Sequence, residues 1–156
     1  MKIFNLNDPF YKVVFLYFIF VSSVTAGDIT DYHKETFGKV EYNKYGIASI
    51  ATEKGWFAID RKKNILLQIF IYDNGPDYIS EGLFRFVENG KMGFANPKGK
   101  VVIPAAYDFV WPFENGKAQV CNGCEFKKVD EHTALVPNVG TFFYINKKGK
   151  VIKVKD

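Results

Sequence analysis

The chain has little of what most enzyme mechanisms require. Among its 156 residues histidine occurs only at His33 and His132, and cysteine only at Cys121 and Cys124. Neither histidine is accompanied by a serine in a nucleophile-elbow setting, so the familiar acyl-transfer arrangements have no support. There is no glycine-rich phosphate loop, because the glycines recur at a fixed period that assigns them to turns. Helical spacing is missing downstream of residue 30, where Gly, Pro or Asn-Gly interrupts nearly every run before three helical turns could form. A short turn or helix fits only near residues 28–36. These absences lead to the expectation of no cofactor and no catalytic centre.

Long apolar runs are scarce as well. The stretch from Val13 to Val21 is uncharged and apolar, but it falls well short of the roughly 20 residues a membrane-spanning helix needs. Lys2 and Lys12 precede it and Ser22-Ser23-Val24-Thr25-Ala26 follows, giving the three parts of a secretory leader. Val24 and Ala26 place compact side chains where a signal peptidase needs them, so cleavage is expected between Ala26 and Gly27. Residues 1–26 are then a signal peptide, 27–45 a lead-in and 46–156 the folded domain. The product is expected in the periplasm or outside the cell, with no stable membrane span after processing.

What the chain has in quantity is aromatic side chains, 16 Phe and 9 Tyr, together with 13 Gly. That combination suits β-strands joined by tight turns. The formal charge of +4 is a mild excess. Its basic residues, including Lys44, Arg61 to Lys63 and Lys147 to Lys150, are spread along the chain with acids between them. They read as turn lysines kept in water, and no nucleic-acid partner is expected.

The chain also repeats itself. Gly82-Leu-Phe-Arg-Phe opens one unit, which continues through Asn89-Gly90-Lys-Met-Gly-Phe-Ala-Asn96-Pro-Lys-Gly99-Lys-Val-Val-Ile-Pro104 to Tyr107-Asp108 and Phe113-Glu-Asn-Gly116. An earlier copy opens 36 residues upstream at Gly46 and runs through Trp56 and Asp60 to Tyr72-Asp73. A third opens at Gly116, 34 residues after the second, is interrupted over 121–139 and resumes at Gly140. In this alignment Trp56, Met92 and Phe142 share one position, and Asp60, Asn96 and Asn146 another. Each unit reads as a three-stranded antiparallel meander, with strands over 83–87, 91–95 and 100–103 in the second copy. Along its first strand Phe84 and Phe86 point one way to pack, while Leu83, Arg85 and Val87 point to a face that is partly wet. Phe109, Trp111 and Phe113 are expected to plug the junction between units. The fold class is all-β, with three hairpin repeats packed as an open, solenoid-like or partly closed sheet.

The spacing from Gly90 to Asp108, closing in Phe113 to Gly116, resembles that of the WG-repeat family of bacterial proteins. The family unit is G-K-W-G-[YF]-I-[DN]-x-x-G-K-x-[VI]-I-P-x-x-[YF]-D with F-x-x-G at its end. The signature Trp is Met92 in the best copy and Phe142 in the last, while the first copy keeps Trp56 but has Phe57 where Gly is expected. The resemblance spans residues 46–155 and implies repetitive β-structure and an interaction role, with no general reaction.

Several local features invite chemistry. Cys121-Asn122-Gly123-Cys124 suits a disulfide, a thiol-exchange site or half a metal site, and an oxidising compartment favours the disulfide. With His132 the pair makes a trio that is one ligand short of a closed zinc site, the alternative being a metal- or thiol-dependent activity there. Asp73, Asp77 and Glu81 lie in a Gly-Pro loop without the alternation of a calcium loop, and these acids are expected to face water. Trp56 and Trp111 are the aromatic candidates for contacting a partner, expected to be a protein or an envelope glycan.

Overall fold

Two kinds of tight turn, both legible in the sequence, fold this chain back on itself in a computed structural model that describes residues 28–129 and 132–153. The expected leader lies outside the described residues. In the first kind, an Asp or Asn side chain accepts hydrogen bonds from backbone N–H groups two and four residues ahead. Asp60 Oδ1 accepts from Lys62 (2.8 Å) and Asn64 (2.9 Å), Asn96 Oδ1 from Lys98 (3.0 Å) and Lys100 (3.2 Å), and Asn146 Oδ1 from Lys148 (2.9 Å) and Lys150 (3.1 Å). The residue three places on takes a left-handed φ: 64° at Lys63, 72° at Gly99 and 74° at Gly149. Asn43 makes the same bonds to Tyr45 (2.9 Å) and Ile47 (3.1 Å), with Gly46 at φ 77°. The lead-in therefore ends on a fourth copy of the turn. The second kind is a two-residue turn with two positive φ values, at Glu81-Gly82 (49°, 84°), Asn89-Gly90 (51°, 74°) and Asn115-Gly116 (51°, 76°).

After a short helix α1 (Asp31–Phe37), the described residues are mostly antiparallel β-structure, 50% strand and 6% helix, and do not close into a barrel. The first unit supplies β1 (Ala48–Thr52), β2 (Gly55–Ile59) and β3 (Ile65–Ile69), followed by a hairpin of β4 (Ile71–Tyr72) and β5 (Gly75–Pro76). The second supplies β6 (Phe84–Glu88), β7 (Lys91–Ala95), β8 (Val101–Tyr107) and β9 (Phe109–Val110). The third supplies β10 (Lys117–Asn122), β13 (Thr141–Asn146) and β14 (Val151–Ile152), interrupted by a hairpin of β11 (Phe126–Val129) and β12 (His132–Leu135). The sheets run β1-β2-β3-β6-β7-β8 and β14-β13-β10-β9, with the two hairpins standing apart. Trp56, Met92 and Phe142 are each the second residue of their strand, but their neighbours differ. Met92 is core, whereas Trp56 packs against α1 and Phe142 against Trp111.

The change of sheet between the units has a local cause. Met92 pairs with Tyr107 and Phe94 with Ile103, so the chain at Pro104, Ala105 and Ala106 arches past Gly93. A Cβ on Gly93 would stand 2.5 Å from the Ile103 carbonyl oxygen and 2.7 Å from the Ala105 nitrogen. Only glycine admits that approach. Beyond the arch the chain bends at Asp108, and β9 pairs with β10 in the second sheet. In the first unit Phe57 faces Gln68 and Ala58 faces Leu67, the one register shift falls between Ala58 and Ile59, and β3 lies between β2 and β6 in one sheet. The surplus residues of that unit go into the β4–β5 hairpin. Tyr72 and Asp73 thus sit in the hairpin and its turn, and do not play the part of Tyr107 and Asp108 as the repeat alignment predicts.

A second departure concerns the face of β6 expected to be partly wet. Arg85 is 3% exposed. Its guanidinium meets the Asp77 carboxylate (Nε 3.0 Å, Nη2 2.5 Å), which also accepts the Arg85 backbone N–H (2.7 Å). The Asp77 side chain is 2% exposed, so this acid of the Gly-Pro loop does not face water. Phe70 covers the guanidinium face at 4.5 Å. The β4–β5 segment folds over the Arg85 side of the strand and buries the charge with a partner.

The largest core cluster, with Met92, Phe94, Val110, Phe113, Val120 and Ile145, spans the second and third units. Each such large side chain contributes about 1.5–3 kcal/mol relative to exposure. Phe113 stacks edge-on against Phe94 (4.7 Å between rings), the junction role its place in the sequence predicts. Polar ties join the units as well. Glu81 accepts from Lys147 (2.9 Å) and the Gly116 N–H (3.1 Å), and Asp108 accepts from Lys91 and the Gly123 N–H (2.5 Å).

Three outcomes follow from these contacts. Gly93→Ala should cost about 1–3 kcal/mol through backbone overpacking, read from urea denaturation. Arg85→Met strands the buried Asp77 carboxylate and should cost about 3–5 kcal/mol, part of it recovered by adding Asp77→Leu. The carboxyls of Glu81 and Asp108 are held below the usual range, chiefly by the Lys147 and Lys91 ammoniums. Their contribution is complete above the unfolded carboxyl pKa and is lost as pH falls through the folded value. Glu81→Gln should therefore lower the melting temperature at neutral pH and barely change it in acid.

Candidate functional site

The face of the first sheet that carries Ala58, Ile69 and Phe84 is the floor of a cleft of about 510 Å³. The alternation of β-strands brings these residues to one side, while Ala48, Ile50 and Ile59 form a separate core with Ile29 and Val40. One wall is the end of α1 and the lead-in, with Phe37, Lys39, Glu41 and Asn43; the other is Pro76, Asp77 and Ile79. Pro97 closes one end, where its carbonyl accepts from Asn43 Nδ2 (2.8 Å). The lining is apolar at the base, with an ammonium and a carboxylate from Lys39 and Glu41 at the edge.

Trp56 stands in this cleft. Its ring lies 5.1 Å from that of Phe37 and 5.8 Å, edge-on, from that of His33. His33 is 6% exposed, and its Nδ1 accepts the backbone N–H of Ala51 (3.1 Å). The imidazole thus holds α1 against β1, an edge strand, and fixes the wall beside Trp56. Asp28 reinforces the attachment: its carboxylate accepts from Thr30 N–H (3.1 Å), Lys34 (3.2 Å) and Lys63 of the next turn.

Trp111, the other aromatic candidate, lies elsewhere. It packs edge-on against Phe109 (4.7 Å) and lines a smaller recess of about 220 Å³ with Pro112, Lys117 and Tyr144. The fold gives the two tryptophans different sites. Cys121 and Cys124 lie side by side as a disulfide-like pair with Cα atoms 6.0 Å apart, and Cys121 is fully buried. Gly140 is pressed against the pair, since a Cβ there would meet Cys121 Sγ at 2.9 Å. His132 begins β12. Among the described residues no group of three His, Cys, Asp or Glu side chains is placed to hold a metal ion.

Phe37, Ile69, Phe84 and Asp77 belong to this cleft although the sequence does not single them out for it. They come from the helix, two strands and an insert loop far apart in the chain, and no local spacing joins them. Chemically the cleft offers an apolar seat with an aromatic side wall and charges of both signs at its rim, a binding arrangement. Among the described residues no helix is long and apolar enough to cross a membrane.

The model of the family described as WG containing repeat matches residues 56–91 and 92–123. No curated protein and no solved structure matches the chain. The matched units begin at Trp56 and Met92, which hold the same place in β2 and β7, so that family spacing and strand register coincide. By that correspondence residues 56–123 are two units of the WG containing repeat family.

Proposed function

We propose that the protein is an exported binding module, with the repeats as a rigid platform and the cleft beside Trp56 as its site. The observation that carries this reading is the cleft itself: an apolar floor on a six-stranded sheet, with aromatic walls from α1 held in place by His33. Its volume suits one or two inserted side chains. The partner is a protein segment that places an apolar side chain on Ile69 and Phe84 and meets Lys39 and Glu41 with polar groups. Export rests on the leader over residues 1–26, and the Cys121–Cys124 pair is of the kind an oxidising compartment favours. Hot-spot energetics put most of such an affinity on the aromatic walls.

Peptides selected from a displayed library against the purified protein test this. Trp56→Ala and Phe37→Ala should each weaken the selected peptides by about tenfold or more, read by fluorescence anisotropy, as expected for a buried aromatic anchor. Trp111→Phe should leave them unchanged. Peptides that bind all three variants as well as the parent would remove the cleft from consideration, and preferential binding of envelope oligosaccharides in competition would replace the peptide with a glycan.

A further inference from the structure

We propose that the end of the molecule bearing the Asp/Asn turns is a docking surface for an anionic lipid bilayer. The turns at 43–47, 60–64, 96–100 and 146–150 hold nine of the chain's 21 lysines and arginines but only one of its 17 acids, Asp60. That carboxylate is spent on its own turn, accepting from Lys62, Asn64 and the Asn64 side chain. The first three turns touch one another. Asn43 bonds to Pro97, Lys44 and Lys98 place their ammoniums 5.1 and 5.3 Å from the centre of the Tyr45 ring, and Arg61 packs against Gly46. The fourth turn follows with Gly149 against Ile103 of the preceding unit. Lys63 and Lys147 have carboxylate partners, whereas Lys44, Arg61, Lys62, Lys98, Lys100, Lys148 and Lys150 have none among the described residues.

Charge alone would suit any polyanion, but the second, third and fourth turns also run into exposed aliphatic residues. Ile65 (52% exposed) and Leu66 follow the second turn, Val101 and Val102 (40% each) the third, and Val151 (66%) the fourth. Leu66 lies against Gly99, which sets the first aliphatic pair beside the turn that leads into the second. A nucleic acid or acidic glycan would neutralise the ammoniums and leave this row wet, and the aromatic rings beside the turns, Tyr42 and Tyr45, are already flanked by Arg61, Lys44 and Lys98. An anionic bilayer meets both, phosphates against lysines and the upper acyl region against the aliphatics. The rest of the chain is net acidic, so the attraction is confined to one end and orients the cleft relative to the membrane.

Co-sedimentation of the purified full chain with phosphatidylcholine vesicles, with and without phosphatidylglycerol, tests this. Variants are Lys44→Glu/Lys62→Glu/Lys98→Glu, Ile65→Ser/Val101→Ser/Val102→Ser, and a charge-matched control, Lys54→Glu/Lys127→Glu/Lys128→Glu. Binding attributable to phosphatidylglycerol should fall at least about tenfold in the turn variant and about fivefold in the aliphatic variant, and less than about twofold in the control. Circular dichroism confirms that each is folded, and the corresponding Lys→Gln set substitutes if charge reversal disturbs folding. Equal binding to neutral vesicles, as the apolar stretch at 13–21 alone would give, overturns the proposal, as does equal loss in the control. Heparin and a thymidine oligonucleotide serve as soluble polyanions. If they bind through the turn lysines while the aliphatic variant keeps full vesicle binding, the surface is a polyanion site and the proposal fails.

Discussion

One short hydrogen-bonded device underlies the architecture: an Asp or Asn oxygen that accepts the N–H groups two and four residues ahead. At Asn43, Asp60, Asn96 and Asn146 it reverses the chain within five residues and sets a left-handed residue at a fixed place. Because the side chain satisfies two backbone donors, the turn does not depend on neighbouring strands to fix its shape. The strands on either side inherit a defined register, and through it the cores form. The same device turns the intervening residues outward, and seven of those twelve are lysine or arginine.

Whether consecutive units share one sheet is a separate matter, decided by the residue after the signature position. Glycine at 93 lets three residues of β8 pass close by, which breaks the register and turns the chain toward a second sheet. With phenylalanine at 57 no such close approach is made, and the first two units make one continuous sheet with a broad face. The cleft exists on that face because the sheet is unbroken there. The departure of the first copy from the family pattern is therefore tied to the site, with Phe57 keeping the floor whole and Trp56 beside it forming part of the wall.

Much of the fold was legible in the residues. Asn89-Gly90 demanded a two-residue turn, Asn96 with Gly99 a longer one, and the recurrence of both gave the meander and its period. Phe113 was placed at the junction it fills. Arg85 and Asp77 depart from the sequence pattern because charged residues at strand and loop positions ordinarily reach water, and here they are buried together. The hairpin that covers them is an insertion whose path depends on Phe70 and the Arg85 guanidinium. The repeat alignment failed at Tyr72-Asp73 for the same reason, since surplus residues in one unit went into a hairpin and in the other into an arch.

By itself the sequence determined the class of structure, the repeat, the turn chemistry and the pairing of like positions, since all of these are written in spacings shorter than a single unit. Only the tertiary structure decided which side chains share a space. The cleft draws on a helix, the lead-in, five strands and the loops beside them, and the lysines of the first three turns, which look scattered along the chain, stand together because those turns pack against one another. Proximity of that kind depends on how strands are ordered and where one sheet gives way to the next, and those choices rest on backbone approach distances that no local pattern records.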